Sequence, residues 1–259
     1  MIVDYHMHLR DPEERIDHTV GGVERFVERA GERGVDEIGF TEHVYYFRQT
    51  AELWGVPYQV ERCVYDLDTY VDAIVEAKRQ GLPVKLGLEV DYVGELQPRL
   101  AELLAPYPWD FLLGSVHWID GLAVDQEPGI WAGRSVEEVW RVYFEALAEL
   151  ASGGHVDVLA HADLAKIFDR RPDDPAGFYP PLDGVAVEIS TAGLRKRVGE
   201  LYPDAALLAS KPPITLASDA HVPKLVGEDF DSALALARRV GYETVTVFAG
   251  RVARQEPLG

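Results

Sequence analysis

Short apolar runs alternate with amphipathic stretches along nearly the whole chain. The runs that read as strands are Ile2–His8, Glu37–His43, Val84–Asp91, Phe111–Trp118, Val156–Asp163, Val185–Thr191 and Ile214–His221, with a weaker eighth at Val245–Phe248. Between them, Gly22–Arg33 places Val23, Phe26, Val27 and Ala30 at helical spacing. Asp68–Gln80, Ser135–Leu150 and Phe230–Val240 repeat that pattern. Strands that alternate with helices predict parallel βα units. Near-continuous apolar strands predict a sheet buried on both faces. Seven such units favour a closed barrel over an open sheet, with a degenerate last unit. No internal repeat or long linker interrupts the pattern, so the expectation is one α/β domain over residues 1–259.

Two segments lie outside this rhythm. Val44–Asp66 is rich in aromatics (Tyr45, Tyr46, Phe47, Trp54, Tyr58, Tyr65). Ile119–Arg134 is rich in Gly and Asp and holds Trp131. Loops of this length in a compact domain tend to be functional.

Composition narrows the function classes. An apolar content of 47 % supports a sizeable core, and the formal net charge of -19 repels phosphate backbones and anionic lipids. No nucleic-acid or membrane partner is therefore expected. The single cysteine, Cys63, excludes an internal disulfide framework and a thiolate-rich zinc site. No apolar stretch of ~18 residues and no leader-like N-terminus is present, and a cytoplasmic protein is the expectation.

The strand ends carry the chemistry. They read His6-Met7-His8, Thr41-Glu42-His43, Gly87-Leu88-Glu89, Ser115-Val116-His117, Ala160-His161 and Ser218-Asp219-Ala220-His221. Six of the eight histidines fall at these ends. In a parallel barrel all the ends face one mouth, where active sites are built. The i, i+2 spacing of His6/His8 and of Asp219/His221 puts both members of each pair on one side of a strand. His18, in a loop before a helix, is open between a structural and a site role, and His155 is set aside as structural.

Imidazoles and carboxylates without thiolate suit Zn, Mn or Fe as divalent ions. The set exceeds the about four ligands that one zinc takes. Two ions bridged by a carboxylate, or three ions, would use it, and Glu89 is the natural bridge. Such a centre acidifies bound water and clamps an in-line displacement, with phosphate esters as the leading substrates. Positive charge for the phosphoryl oxygens is sparse. Lys166 and the Arg195-Lys196-Arg197 trio are the candidates.

In this order, the segments "HMH", "FTEH", "GLE", "GSVH", "AHAD" and "SDAH" resemble the PHP (polymerase and histidinol phosphatase) superfamily across almost the whole chain. "LGSVHW", "HADLAKIF" and "EISTAGLRK" look like its histidinol-phosphatase branch. The resemblance implies a distorted (β/α)7 TIM-like barrel with long active-site loops and a trinuclear metal centre. It assigns one ion to His6, His8, Glu89 and Asp219, a second to Glu89, His117 and His161, and a third to His18, His43 and His221. It names Glu89, Asp219 and His221 as catalytic and gives the phosphate to Arg195, Arg197 and Lys166. The chain departs from the pattern at Glu42, where aspartate is commoner, at Ser190, where asparagine is commoner, and in lacking the usual cysteine and glycine ahead of His18.

The expected activity is hydrolysis of a small phosphorylated substrate, L-histidinol phosphate, to L-histidinol and phosphate by metal-hydroxide attack, as in histidine biosynthesis. The alternative is another small phosphomonoester, such as a nucleotide or sugar phosphate. A non-catalytic metal-binding module fits poorly because no ligand is lost. An amidohydrolase-like enzyme fits poorly because no strand ends in lysine.

Overall fold

A computed structural model of the protein describes residues 1–182 and 184–259. Its parallel strands are β1 (Val3–Asp4), β2 (Glu37–Phe40), β3 (Val84–Leu86), β4 (Glu89–Asp91), β5 (Leu113–Ser115), β8 (Val158–Leu159), β9 (Ala186–Ser190) and β10 (Ile214–Ala217). A hairpin of β6 (Trp118–Ile119) and β7 (Leu122–Ala123) follows β5. The helices are α1 (Val20–Glu32), α2 (Pro57–Arg62), α3 (Leu67–Arg79), α4 (Gln97–Leu104), α5 (Val136–Ser152) and α6 (Phe230–Val240).

One ladder runs β1-β2-β3 and the other β10-β9-β8-β5-β4, parallel throughout. β3 and β4 form one interrupted strand. Across the break Gly87 N donates to Phe40 O (2.9 Å) and Glu89 N to Glu42 O (2.9 Å). The break lies beside a bulky neighbour, since a Cβ on Gly87 would meet Phe111 Cζ at 2.8 Å. On its other side β1 reaches β10, with Tyr5 N donating to Leu216 O (3.0 Å) and His8 N to Ala220 O (2.8 Å).

The helix starts follow from local chemistry. Thr19 Oγ1 accepts from Gly22 N and caps α1, which buries Val23, Phe26 and Ala30. Asp66 caps α3 through Thr69 N. Ser135 and Glu138 form a reciprocal capping box on α5, which buries Val139, Trp140, Tyr143, Phe144 and Leu147.

Three sequence expectations change. The Val245–Phe248 run does form a strand, β11 (Thr244–Ala249), but it pairs antiparallel with β12 (Val252–Pro257) and joins no parallel ladder. This hairpin lies at the end remote from the clustered histidines. Phe248 stacks on Phe111 at 5.7 Å between centroids, and Arg251 N donates to Asp110 O just before β5. The aromatic segment 44–66 is not irregular. It contains 3-10 turns at Val44–Tyr46 and Arg48–Leu53, then α2. Segment 119–134 is likewise organised by β7 and a 3-10 turn at Gly129–Trp131.

Candidate metal centre

The C-terminal ends of the strands bring the expected ligands together. Glu89, fully buried on β4, is ringed by five imidazoles. The distances are 3.6 Å from Oε1 to His6 Nε2, 3.7 Å from Oε2 to His8 Nε2 and 2.6 Å from Oε2 to His43 Nδ1. They are 3.5 Å from Oε1 to His117 Nε2 and 3.2 Å from Oε1 to His161 Nε2. Asp219 Oδ1 forms a second focus, 3.7 Å from His6 Nε2, 3.5 Å from His8 Nε2 and 3.5 Å from His221 Nε2. The His8 ring lies against those of His43 (4.3 Å) and His221 (4.2 Å). His161 and Asp219 themselves adopt positive φ, 59° and 51°. Such backbone costs about 1–3 kcal/mol for a residue other than glycine, and it recurs where a side chain must be re-aimed at a site.

Outer carboxylates orient the rings. His6 Nδ1 donates to Glu188 Oε2 (3.0 Å) and His117 Nδ1 to Asp91 Oδ1 (2.9 Å), which turns both Nε2 atoms inward. Glu42 lies between His8 Nδ1 and His18 Nε2, 3.5 Å from each. The closest groups of donor atoms are His6/Glu89/His161, His6/His8/Asp219, His8/His43/Glu89 and His43/Asp91/His117. His18 belongs to none of them. It packs against Phe47, Tyr65 and Tyr70, with Glu42 as its polar neighbour. Glu42, Asp91 and Glu188 are site residues that strand-end reasoning missed. Glu188 lies within β9, where a carboxylate has no distinctive sequence signal, whereas Asp91 ends β4 two residues past Glu89, a spacing that could have marked it. His155 precedes β8 at the opposite end, and its carbonyl accepts from Arg251.

The electrostatics suit cations. Burial raises Glu89 and Asp219, but the surrounding histidines overcome it and hold both well below the usual carboxylate range. Burial, reinforced by the neighbouring His8, keeps His221 well below the usual imidazole value, and burial also lowers His43. His117 moves the other way. Burial lowers it, yet Glu89 and Asp91 raise it to about 10. Without a metal, His117 therefore favours a bound proton, while His43 and His221 favour free nitrogens. His6 Nε2, both nitrogens of His8, His43 Nδ1, both oxygens of Glu89 and His221 Nδ1 are buried without a hydrogen-bond partner. Unpaired buried polar atoms cost free energy unless something satisfies them, and metal ligation does so. The residues fit divalent ions.

Two adjoining cavities open above the cluster. One, of about 90 Å³, is lined by His117, His161, Asp219, His221, Lys196 and Tyr202, among others. Its neighbour, of about 170 Å³, is walled by Arg10, Tyr45, Tyr46, Tyr58, Trp118 and Asp125. His43, His117, Asp125 and His221 border both. A larger cleft of about 460 Å³ between Trp54, Tyr92 and α5 contains none of the cluster residues.

The expected phosphate ligands are rearranged. Lys166 is buried, with Nζ 2.8 Å from Asp163 Oδ2 and 2.8 Å from Leu201 O, so it is an internal ion pair rather than a phosphate contact. Arg197 is exposed and points toward Glu127 (3.9 Å). Arg195 donates to the carbonyls of Ser218 and Thr191. The middle residue of the trio, Lys196, is the one that lines the cluster cavity, because the 3-10 turn Ala192–Arg195 ends just before it. Arg10, two residues past His8, supplies the other cation, and its Nη2 donates to the Tyr46 hydroxyl at 2.8 Å.

Comparison with known proteins agrees with this architecture. Residues 4–192 match the family model of the PHP domain. A protein named probable histidinol-phosphatase from Deinococcus radiodurans is 29 % identical over 243 residues, covering 88 % of this chain and 91 % of its own length. The histidinol-phosphatase of Lactococcus lactis subsp. lactis is 23 % identical over 269 residues, covering 96 % and 94 %. A crystal structure of histidinol phosphate phosphatase from Lactococcus lactis subsp. lactis, complexed with zinc, L-histidinol and phosphate, superposes with a TM-score of 0.70 at 20 % identity, covering 98 % of each chain. With more than half of its residues matched to one family model and the His, Glu and Asp segments lying at its strand ends, this chain belongs to the PHP domain family.

Proposed function

We propose that this chain is a metal-dependent phosphomonoesterase that hydrolyses L-histidinol phosphate to L-histidinol and phosphate. The observation that carries this reading is the convergence of His6, His8, His43, Glu89, His117, His161, Asp219 and His221 beneath a cavity that also holds Lys196. The names of the relatives supply the substrate. Their identities are modest, so turnover is the decisive test.

His6, His8, Glu89 and Asp219 would hold one ion, and Glu89, His117 and His161 a second. His43 and His221 would hold a third, together with His18 if that residue swings from Glu42. Such ions, when bound, acidify water and neutralise the charge that spreads over phosphoryl oxygens. Glu188 and Asp91 fix the His6 and His117 rings so that no reorientation is needed on binding. Lys196 brings positive charge to the phosphoryl oxygens from the protein side. Leu164, Ile167 and Ala192 make part of the cavity wall apolar and limit bulk water there. Tyr45, Tyr58 and Trp118 give the organic part of the substrate an aromatic surface.

The same reading includes a single barrel domain. The β1–β10 backbone hydrogen bonds support closure of the seven strand positions into a distorted (β/α)7 barrel. No helix among the described residues is long and apolar enough to cross a membrane, and a cytoplasmic site for the reaction belongs to the proposal.

Purified protein loaded with Zn²⁺, Mn²⁺ or Fe²⁺ and given L-histidinol phosphate, nucleotide monophosphates and sugar phosphates should rank L-histidinol phosphate first by kcat/KM. A higher rank for a nucleotide or sugar phosphate would move the assignment to that ester. No phosphate release from any of them would overturn it.

A further inference from the structure

The two adjoining cavities differ in chemistry. The one over the cluster has imidazoles, carboxylates already facing imidazoles, and Lys196. The other has an aromatic wall of Tyr45, Tyr46, Tyr58 and Trp118. Asp125 borders both. The other carboxylates here are committed. Glu89 and Asp219 face the histidine cluster, Asp91 accepts from His117, Glu42 lies against His8 and His18, and Glu127 pairs with Arg170. Among the described residues, Asp125 has neither a hydrogen bond nor a cation within 4.0 Å. Lys196 and Arg10 line the cavities it borders but do not pair with it.

The position of Asp125 is also fixed. The preceding residue, Val124, donates its N–H to His117 O (2.8 Å) and accepts from Trp131 Nε1 (3.2 Å). Ala123 pairs with Trp118 across the β6–β7 hairpin. The backbone that carries Asp125 is therefore tied to a residue of the cluster and to the aromatic wall at once. A carboxylate held beside aromatic faces, next to a cavity suited to phosphate, is a recognition site for an organic cation.

We propose that Asp125 is a specificity-determining residue that binds the ammonium group of the substrate, so that the site selects phosphomonoesters bearing a cationic amine on the organic side. This rests on the phosphomonoesterase reading and adds to it the residue that reads the amine. The three tyrosines of the wall come from segment 44–66 and the carboxylate from segment 119–134.

The test compares the metal-loaded wild-type protein with Asp125→Asn and Asp125→Glu. Each is assayed on L-histidinol phosphate and on imidazolylpropyl phosphate, the same ester without the amine. The ratio of the two kcat/KM values should fall by about tenfold or more in Asp125→Asn, the scale of a charge-assisted hydrogen bond, and recover in part in Asp125→Glu. Because the ratio is taken within one protein, partial misfolding cancels. An equal ratio in wild type and Asp125→Asn would overturn the proposal while leaving the phosphatase reading intact. Calorimetric binding of L-histidinol reads Asp125 without turnover. It should weaken by about tenfold or more in Asp125→Asn, and unchanged affinity, or no binding to the wild type, would also overturn it. Normal binding of L-histidinol with no hydrolysis of either ester would instead sink the phosphatase reading alone.

Discussion

At the scale of single residues, cluster members and their neighbours should separate cleanly. His8→Ala and Asp219→Ala remove atoms on which two or more neighbours converge. Both should abolish turnover and lower bound metal by at least one equivalent in elemental analysis. His155→Ala, at the other end of β8, should leave metal content and turnover nearly intact. Lys196→Ala should raise KM or lower kcat by about tenfold or more with metal content unchanged, the scale of a lost charge-assisted contact. Lys166 should behave differently from the other basic residues. Its buried Nζ pairs with Asp163, and removing one partner of such a pair costs about 3–5 kcal/mol. Lys166→Ala should therefore shift the urea unfolding midpoint before it changes phosphate affinity. The histidines that converge in the cluster were legible because histidine is scarce and recurs at strand ends, whereas His18, placed with them by family resemblance, joins no donor group. Which member of the basic trio enters the cavity was not legible, because that depends on where one 3-10 turn ends.

At the scale of elements, seven βα positions could be read from periodicity because strands buried on both faces are continuous apolar runs. The ladders are shorter than those runs. β1 pairs with β2 over two residues of the Ile2–His8 stretch, and the rest stays beside its neighbours through single bonds such as Thr41 N to Met7 O and His8 N to Ala220 O. α2 and α4 went unseen, being six and eight residues long, too short for their periodicity to stand out. The final hairpin carries a prediction of its own. Phe248 contacts Phe111 and Tyr5 beneath the strands, and these three rings fill the end opposite the cluster. Phe248→Ala should destabilise the fold by about 3–5 kcal/mol in chemical denaturation, the usual cost of deleting a buried aromatic. The metal stoichiometry of the folded fraction should not change.

At the scale of the whole molecule, the formal charge of -19 is concentrated in part where cations would neutralise it. The cluster links folding, pH and metal. In the metal-free protein His117 is raised from 6.5 to about 10, burial opposing and the Glu89 and Asp91 carboxylates driving the shift. A histidine raised on folding contributes stability that is full below its unfolded pKa and is lost as pH climbs through the folded value. Metal-free protein should accordingly lose stability, on the order of a few kcal/mol, between pH 6.5 and about 10. Metal-loaded protein, in which ligation has displaced that proton, should not. The gap between the two melting temperatures should widen as pH rises across this window, and a gap that narrows would contradict the account.

The central claim is that this cluster binds divalent ions and needs them to cleave a phosphate ester. Its most direct test strips the protein with a chelator, adds Zn²⁺, Mn²⁺ or Fe²⁺ stepwise, and follows phosphate release from L-histidinol phosphate against metal bound per chain. The account predicts no turnover in stripped protein and recovery as two or more equivalents bind. Undiminished turnover by the stripped protein, or full activity with no bound metal, would contradict it.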